Sequence, residues 1–210
     1  MNNEEKDRAF YKYPGTDTLR NKFGIRDSRL LDTVERALVG TRIDELPPAG
    51  NFDLVHLQAI HRHLFQDIYD WAGELRQVDF HKGGFWFLPH DRIEMGINDV
   101  HRRLAEKDFL RGLPPGDFAR EAGIIIGDLN HAHPFREGNG RTQMSYLDLL
   151  AQQAGHVIGF ERFEQKSWIE ASIQANEGRY DLMGRCIENS ITGPAKEQSK
   201  GRGRSRGWER

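Results

Sequence analysis

The segment HPFREGNGRTQM, residues 133–144, organises the reading of the whole chain. It places a histidine, a carboxylate and two glycines in one short run, and it sits between two stretches of helical spacing. On its N-terminal side, Asp117 to His131 carries Phe118, Ala122, Ile125 and Leu129 along one face, with Ala132 just beyond. On its C-terminal side, Thr142 to Ala154 turns Leu147, Leu150 and Ala151 inward and meets a natural stop at Gly155. Pro134 cannot continue the incoming helix. The segment is therefore a loop between two helices, and the first of them is apolar enough to be central.

The residues of the loop have a chemistry in common. Gly138 and Gly140 permit backbone conformations that aim successive N–H groups at one point. These groups lie just before a helix N-terminus, which favours an anion, phosphate above all. Asn139 can add an amide donor and Arg141 a guanidinium fork. Glu137 repels phosphate unless it holds Mg²⁺, which bridges carboxylate and phosphate oxygens. His133, with an ordinary pKa near ~6.5, offers a neutral imidazole as general base. Phe135 is expected to anchor the loop to the core.

Working outward, Phe52 to Trp71 has helical spacing, with Asn51 or Asp53 as cap and Gly73 as terminator. Its histidines His61 and His63 point apart and read as packing or surface residues rather than metal ligands. Residues 74–90, ELRQVDFHKGGFWFLPH, change character to a β-hairpin with Gly83-Gly84 at the turn. Phe85-Trp86-Phe87-Leu88 cannot all be buried by so short a hairpin. Some of these side chains pack on the body, and some are free to face a partner that adds a strand to the edge. Further helices are expected over Ser28–Gly40, Asp91–Lys107, Lys166–Ala175 and Tyr180–Glu188, with Asp117 capping the central one after Pro114-Pro115. The fold class expected is all-α with one small β-hairpin. Residues 1–50 read as an N-terminal extension and first helix, 51–190 as the core, and 191–210 as a disordered basic tail or linker.

Bulk properties narrow the function. The chain has 210 residues, 37% hydrophobic and 30% charged, which suits one domain with short extensions. A formal net charge of −2 gives no general attraction to nucleic acid or anionic membrane. No apolar run approaches the ~20 residues of a membrane helix. The acidic start MNNEEKDRAF does not resemble a secretory signal, and a lone Cys186 provides no disulfide framework. A cytoplasmic location is expected, with delivery into a host cell without a cleaved signal as the other option.

The loop resembles the signature of the Fic family, H-x-F-x-D/E-G-N-G-R-x-x-R. His133, Phe135, Glu137, Gly138, Asn139, Gly140 and Arg141 match it, and Met144 stands where the family has its second Arg. YPGTDTLRNKFGIRD, IHRHLFQDIYDWAGELR and the KGG hairpin are also similar to family segments. The resemblance implies a Fic-type helical bundle that transfers AMP from ATP to a Tyr, Thr or Ser hydroxyl of a target protein. It implies His133 as base, Glu137 as Mg²⁺ ligand, and Gly138, Asn139, Gly140 and Arg141 as phosphate holders. Lys82, Gly83 and the residues up to Leu88 correspond to a flap that clamps the target segment. Asn176 and Tyr180 are expected near the adenine pocket. Met144 would weaken activity, favour another phosphate donor, or leave a nucleotide-binding module without turnover. The family's inhibitory motif S/T-x-x-x-E/D-G/N has no clear match here, since SIQANEG at Ser172 is off by one residue. The resemblance therefore points to the stand-alone toxin or effector class, restrained if at all by a small antitoxin-like partner.

Overall fold

The computed structural model describes residues 2–82 and 84–194. Helix α1 spans Asn3–Tyr11 and α2 Ser28–Ile43. Then come α3 (Leu54–Phe65), strand β1 (His81–Lys82), strand β2 (Phe85–Trp86) and α4 (Ile93–Glu106). The second half holds α5 (Pro115–Ala132), α6 (Asn139–Ala154), β3 (His156–Ile158), α7 (Gln165–Asn176), α8 (Asp181–Ser190) and β4 (Ile191–Pro194). The expected helical class is what the chain adopts.

Helix α5 is the axis. Phe118, Ala122, Ile126 and Leu129 are buried along it, and α4, α6, α7 and α8 pack around it. Two glycines let α8 approach closely. A Cβ on Gly123 would lie 2.7 Å from the backbone nitrogen of Gly184, nearer than any relaxed contact. The core continues through Leu57, Ile60 and Leu64 of α3 and Leu147 and Leu150 of α6.

Several boundaries differ from the sequence reading, each for a local reason. Asn2 accepts from the Glu5 N–H, and Glu5 reaches back to the Asn2 N–H, a reciprocal cap that starts the unforeseen α1. Asp53 caps α3 as expected, but the helix ends at Phe65 rather than Trp71. Beyond it, the carbonyls of Gln66 and Ile68 accept from Lys22, and residues 66–73 run as turns, with Gly73 at φ 86°. Helix α5 starts at Pro115, so Asp117 lies in its first turn and does not cap it. Helix α6 starts at Asn139, three residues before the expected Thr142, which moves the end of the glycine loop into the helix.

A second antiparallel pair, β3 with β4, was not expected; it joins His156 to Pro194 and Val157 to Gly193. It takes Ile191 to Pro194 out of the segment read as a disordered tail. Residues 195–210 lie outside the described residues. Among the described residues, no helix is long and apolar enough to cross a membrane.

Candidate active site

His133 closes α5. Its N–H donates to the Leu129 carbonyl (3.1 Å), and its backbone is left-handed at φ 41°, ψ 60°. The following Pro134 disfavours a right-handed helical backbone at this position. Its ring stacks on Phe87 with centroids 3.8 Å apart and planes 11° apart. The next residues fold inward. Phe135 is fully buried and stacks on His61 at 3.9 Å.

His61 holds the loop from beneath. Its Nδ1 accepts from the Gly73 N–H (2.8 Å), which leaves Nε2 to donate to the Glu137 carbonyl (3.0 Å). Burial pushes its pKa down to about 3, so the ring stays neutral in this tautomer. The sequence reading had His61 as a packing residue, and its partners show that it also supports the loop.

Asn139 braces the loop from within. Its Oδ1 accepts from the Phe135 N–H (2.9 Å), and its Nδ2 donates to the Phe135 carbonyl (2.7 Å). The buried side chain thus ties the loop to itself through its oxygen and one of its two amide hydrogens. Gly138 caps α6 at φ 81°, and a Cβ there would sit 2.3 Å from the Phe65 ring. Gly138 is therefore required both by conformation and by space. A Cβ on Gly140 would meet nothing within 4 Å, so the backbone there stays open on its outer side. The first turn of α6 leaves N–H groups without acceptors inside the helix, at its positive end.

Arg141 is already engaged. Its Nη2 donates to Glu35 of α2 (2.5 Å) and lies 3.6 Å from Glu137, while its guanidinium covers the Phe65 ring at 4.7 Å. The Tyr69 hydroxyl donates to the other oxygen of Glu35. Glu137 is the more open carboxylate, with 46% of its side chain exposed, and its Oε1 accepts from the Gly138 N–H (2.8 Å). Met144 is 3% exposed and belongs to the core.

The flap begins at Arg76, which is buried. Its guanidinium donates to the carbonyls of His133 (2.7 Å), Val78 (2.6 Å), Leu88 and Ala132 (3.3 Å). Burial lowers its pKa to about 10, which keeps it charged. It therefore ties the base of the hairpin to the His133 turn. The hairpin pairs His81 with Trp86 and Lys82 with Phe85. Phe87 packs down on His133, whereas Trp86 is 63% exposed. The four apolar residues of this run are thus split between body and solvent. Lys82 is placed by its backbone pairing alone, and Gly83 lies outside the described residues.

Arg136 braces the outer side of the loop. It pairs with Asp7 of α1 (2.5 Å) and covers the Phe80 ring. Asn176 and Tyr180 pack on the C-terminal half of α5. Tyr180 donates to Asp128 (2.6 Å), and Asn176 accepts from Asn130 (3.2 Å). Glu35, Tyr69 and Arg76 were not singled out from the sequence, because no local spacing links them to residues 133–141.

The site thus joins one imidazole, a helix N-terminus, a paired arginine, an open carboxylate and an exposed hairpin edge. The Fic/DOC family model matches residues 51–151. The chain is 39% identical over 167 residues to a Sinorhizobium fredii protein named probable protein adenylyltransferase y4lH, covering 79% of this chain and 87% of that one. It therefore belongs to the Fic/DOC family. The protein adenylyltransferase VbhT of Bartonella schoenbuchensis is 40% identical over 185 residues, covering 87% of this chain but only 39% of that longer protein. Among solved structures, the effector BepC of Bartonella tribocorum, with bound AMPPNP, has a TM-score of 0.81 at 31% identity, covering 89% of this chain and 97% of that one. A Fic domain from Bartonella quintana with bound ADP has a TM-score of 0.80 at 32% identity, covering 89% and 95%.

Proposed function

We propose that the chain is a protein adenylyltransferase that moves AMP from ATP to a side-chain hydroxyl of a target protein. One observation carries this reading: the His133 ring lies against Phe87 at the base of the hairpin, six residues before the N-terminus of α6, whose free N–H groups suit an anion. A target strand paired to the flap edge would bring a hydroxyl toward the imidazole. The hydroxyl oxygen attacks the α-phosphorus, the bond to the β-phosphate oxygen breaks, and the hydroxyl proton passes to His133. A well-placed base contributes roughly 10²–10⁴-fold. The N–H groups of Asn139, Gly140 and Arg141 hold the phosphates as charge shifts to pyrophosphate.

The donor set also suits Mg²⁺. Among the described residues, no group of three or more His, Cys, Asp or Glu side chains forms a metal cage. One open carboxylate fits a hydrated Mg²⁺ whose other ligands come from phosphate. When bound there, the ion neutralises the leaving pyrophosphate. Glu137 is the residue that would hold it.

Met144 limits the reaction. With no cation at this position, a charged hydrogen bond to the outer phosphate is lost, about 1.5–3 kcal/mol. That corresponds to roughly 10–100-fold in rate or affinity. A donor that needs no such contact is the second reading, and the buried methionine favours it. The target segment would pair along Lys82 to Leu88 and pack on Trp86. The site of action is the cytoplasm of the producing cell or, as for the translocated Bartonella effectors, of a host cell. Restraint would come from a separate small antitoxin-like partner.

Label transfer tests the proposal. The protein is incubated with Mg²⁺, bacterial lysate and ATP labelled on either the α- or the γ-phosphate. An α-labelled protein band that disappears in His133→Ala is expected. A γ-labelled band would replace AMP transfer with phosphoryl transfer. No band from wild type, but one from Met144→Arg, would show that Met144 disables the AMP reaction.

A further inference from the structure

The arginine of the phosphate loop is held by a carboxylate from a distant helix. Glu35 reaches Arg141 from α2, 106 residues earlier in the chain. Its side chain is 10% exposed, that of Arg141 20% and that of Glu137 46%. The three residues carry two negative charges and one positive. Glu35 has the short contact to Arg141 (2.5 Å), and Glu137 the long one (3.6 Å). The guanidinium is therefore neutralised mainly from the buried side, and the surplus negative charge falls on the open carboxylate. The groups packed on the cluster do not cancel it. Burial and the Glu35 carboxylate push the Tyr69 hydroxyl up, and burial pushes His61 down, so both stay neutral. The neighbouring Arg136 is paired with Asp7.

We infer that Glu35 is the counter-charge that makes nucleotide binding at this loop depend on a divalent cation. With Glu35 in place, the Glu35–Arg141–Glu137 cluster presents a net negative charge to an incoming polyphosphate, and a cation at Glu137 would offset that repulsion. Without the Glu35 charge, Arg141 would pair with Glu137 or attract phosphate directly. The cation would then be both less needed and less well held. Glu35 touches no reacting atom in this scheme; it is a positioning residue that acts through Arg141. The inference rests on the reading of the loop as a nucleotide site.

The test measures binding rather than turnover. Calorimetric titration of AMPPNP is run with EDTA and with Mg²⁺ on the wild type, Glu35→Gln and Tyr69→Phe. In Glu35→Gln, metal-free affinity should rise on the order of tenfold, and the gain from Mg²⁺ should shrink by a similar factor. Tyr69→Phe keeps the carboxylate and should keep the wild-type ratio. A parallel Mn²⁺ titration followed by electron paramagnetic resonance should show weaker cation binding to the Glu35→Gln complex. If Glu35→Gln melts, the Glu35→Met/Tyr69→Phe double variant removes the same charge without stranding the tyrosine hydroxyl. Equal loss of affinity in both conditions, an unchanged ratio, or the same shift in Tyr69→Phe would overturn the inference. No binding of AMPPNP to the wild type with Mg²⁺ would overturn the nucleotide reading itself.

Discussion

His61 shows how one buried side chain can hold a site it never enters. Its two ring nitrogens join the Gly73 turn to the Glu137 carbonyl, and its face carries Phe135. Its pKa falls from 6.5 to about 3, mainly through burial and slightly through the charge of Arg141. The sign of the linkage follows. Between these values the unfolded state binds a proton that the folded state refuses, so stability rises with pH. This contribution is complete above pH 6.5 and is lost progressively as pH falls toward about 3. Urea unfolding at pH 6.5 and pH 5 should differ by roughly 2 kcal/mol from this residue. His61→Gln should be less stable at neutral pH and flatter across the window. An equal slope in wild type and variant would assign the pH dependence elsewhere, the buried His56 being the other histidine with a lowered pKa.

The hairpin works as an element whose two faces differ. Phe87 is buried on His133, while Trp86 points away and is 63% exposed. Removing an exposed side chain costs the fold little, within about 0.5 kcal/mol. Trp86→Ala should therefore melt like the wild type yet modify its target several-fold more slowly. Phe87→Ala should lower both stability and rate, because its ring supports His133. Melting curves beside label transfer separate the two. Equal losses in both variants would mean that the outer face has no docking role. Part of this arrangement was legible in the chain. Gly83-Gly84 between apolar residues marks a hairpin, and four large side chains in a row must split between body and solvent. The side each takes was not legible, because it depends on Arg76 gathering the carbonyls of Val78 and Leu88 onto the His133 turn.

At the scale of the molecule, the site depends on how helices cross α5. Gly123 admits α8 at Gly184, a contact too close for a side chain. Gly123→Val should force these helices apart and lower stability by several kcal/mol, about the upper range of overpacking and strain effects. Its thermal midpoint should fall well below that of Gly140→Ala, where a Cβ meets open space. Comparable midpoints would show that α8 can slide without cost. The N-terminal elements also reach the site, α1 through Asp7 to Arg136 and α2 through Glu35 to Arg141. The segment before residue 51, read from the sequence as an extension with one helix, thus supplies two of the carboxylates that hold the central loop.

The sequence by itself determined the helical class, the central loop and the residue types at its heart. These follow from local rules: apolar spacing, proline at a helix end, glycine before a helix start. It also singled out His133, Glu137 and Arg141 as candidates, because the expectation for them rests on their mutual spacing. Only the tertiary structure decided what those residues touch. It showed Asn139 occupied by Phe135, Arg141 held by Glu35, and His133 fixed between Phe87 and the carbonyl bond to Arg76. The physical reason is separation along the chain. Glu35 and Arg141 are 106 residues apart and Arg76 and His133 are 57 apart, and contacts at such distances are set by helix packing rather than by any local pattern.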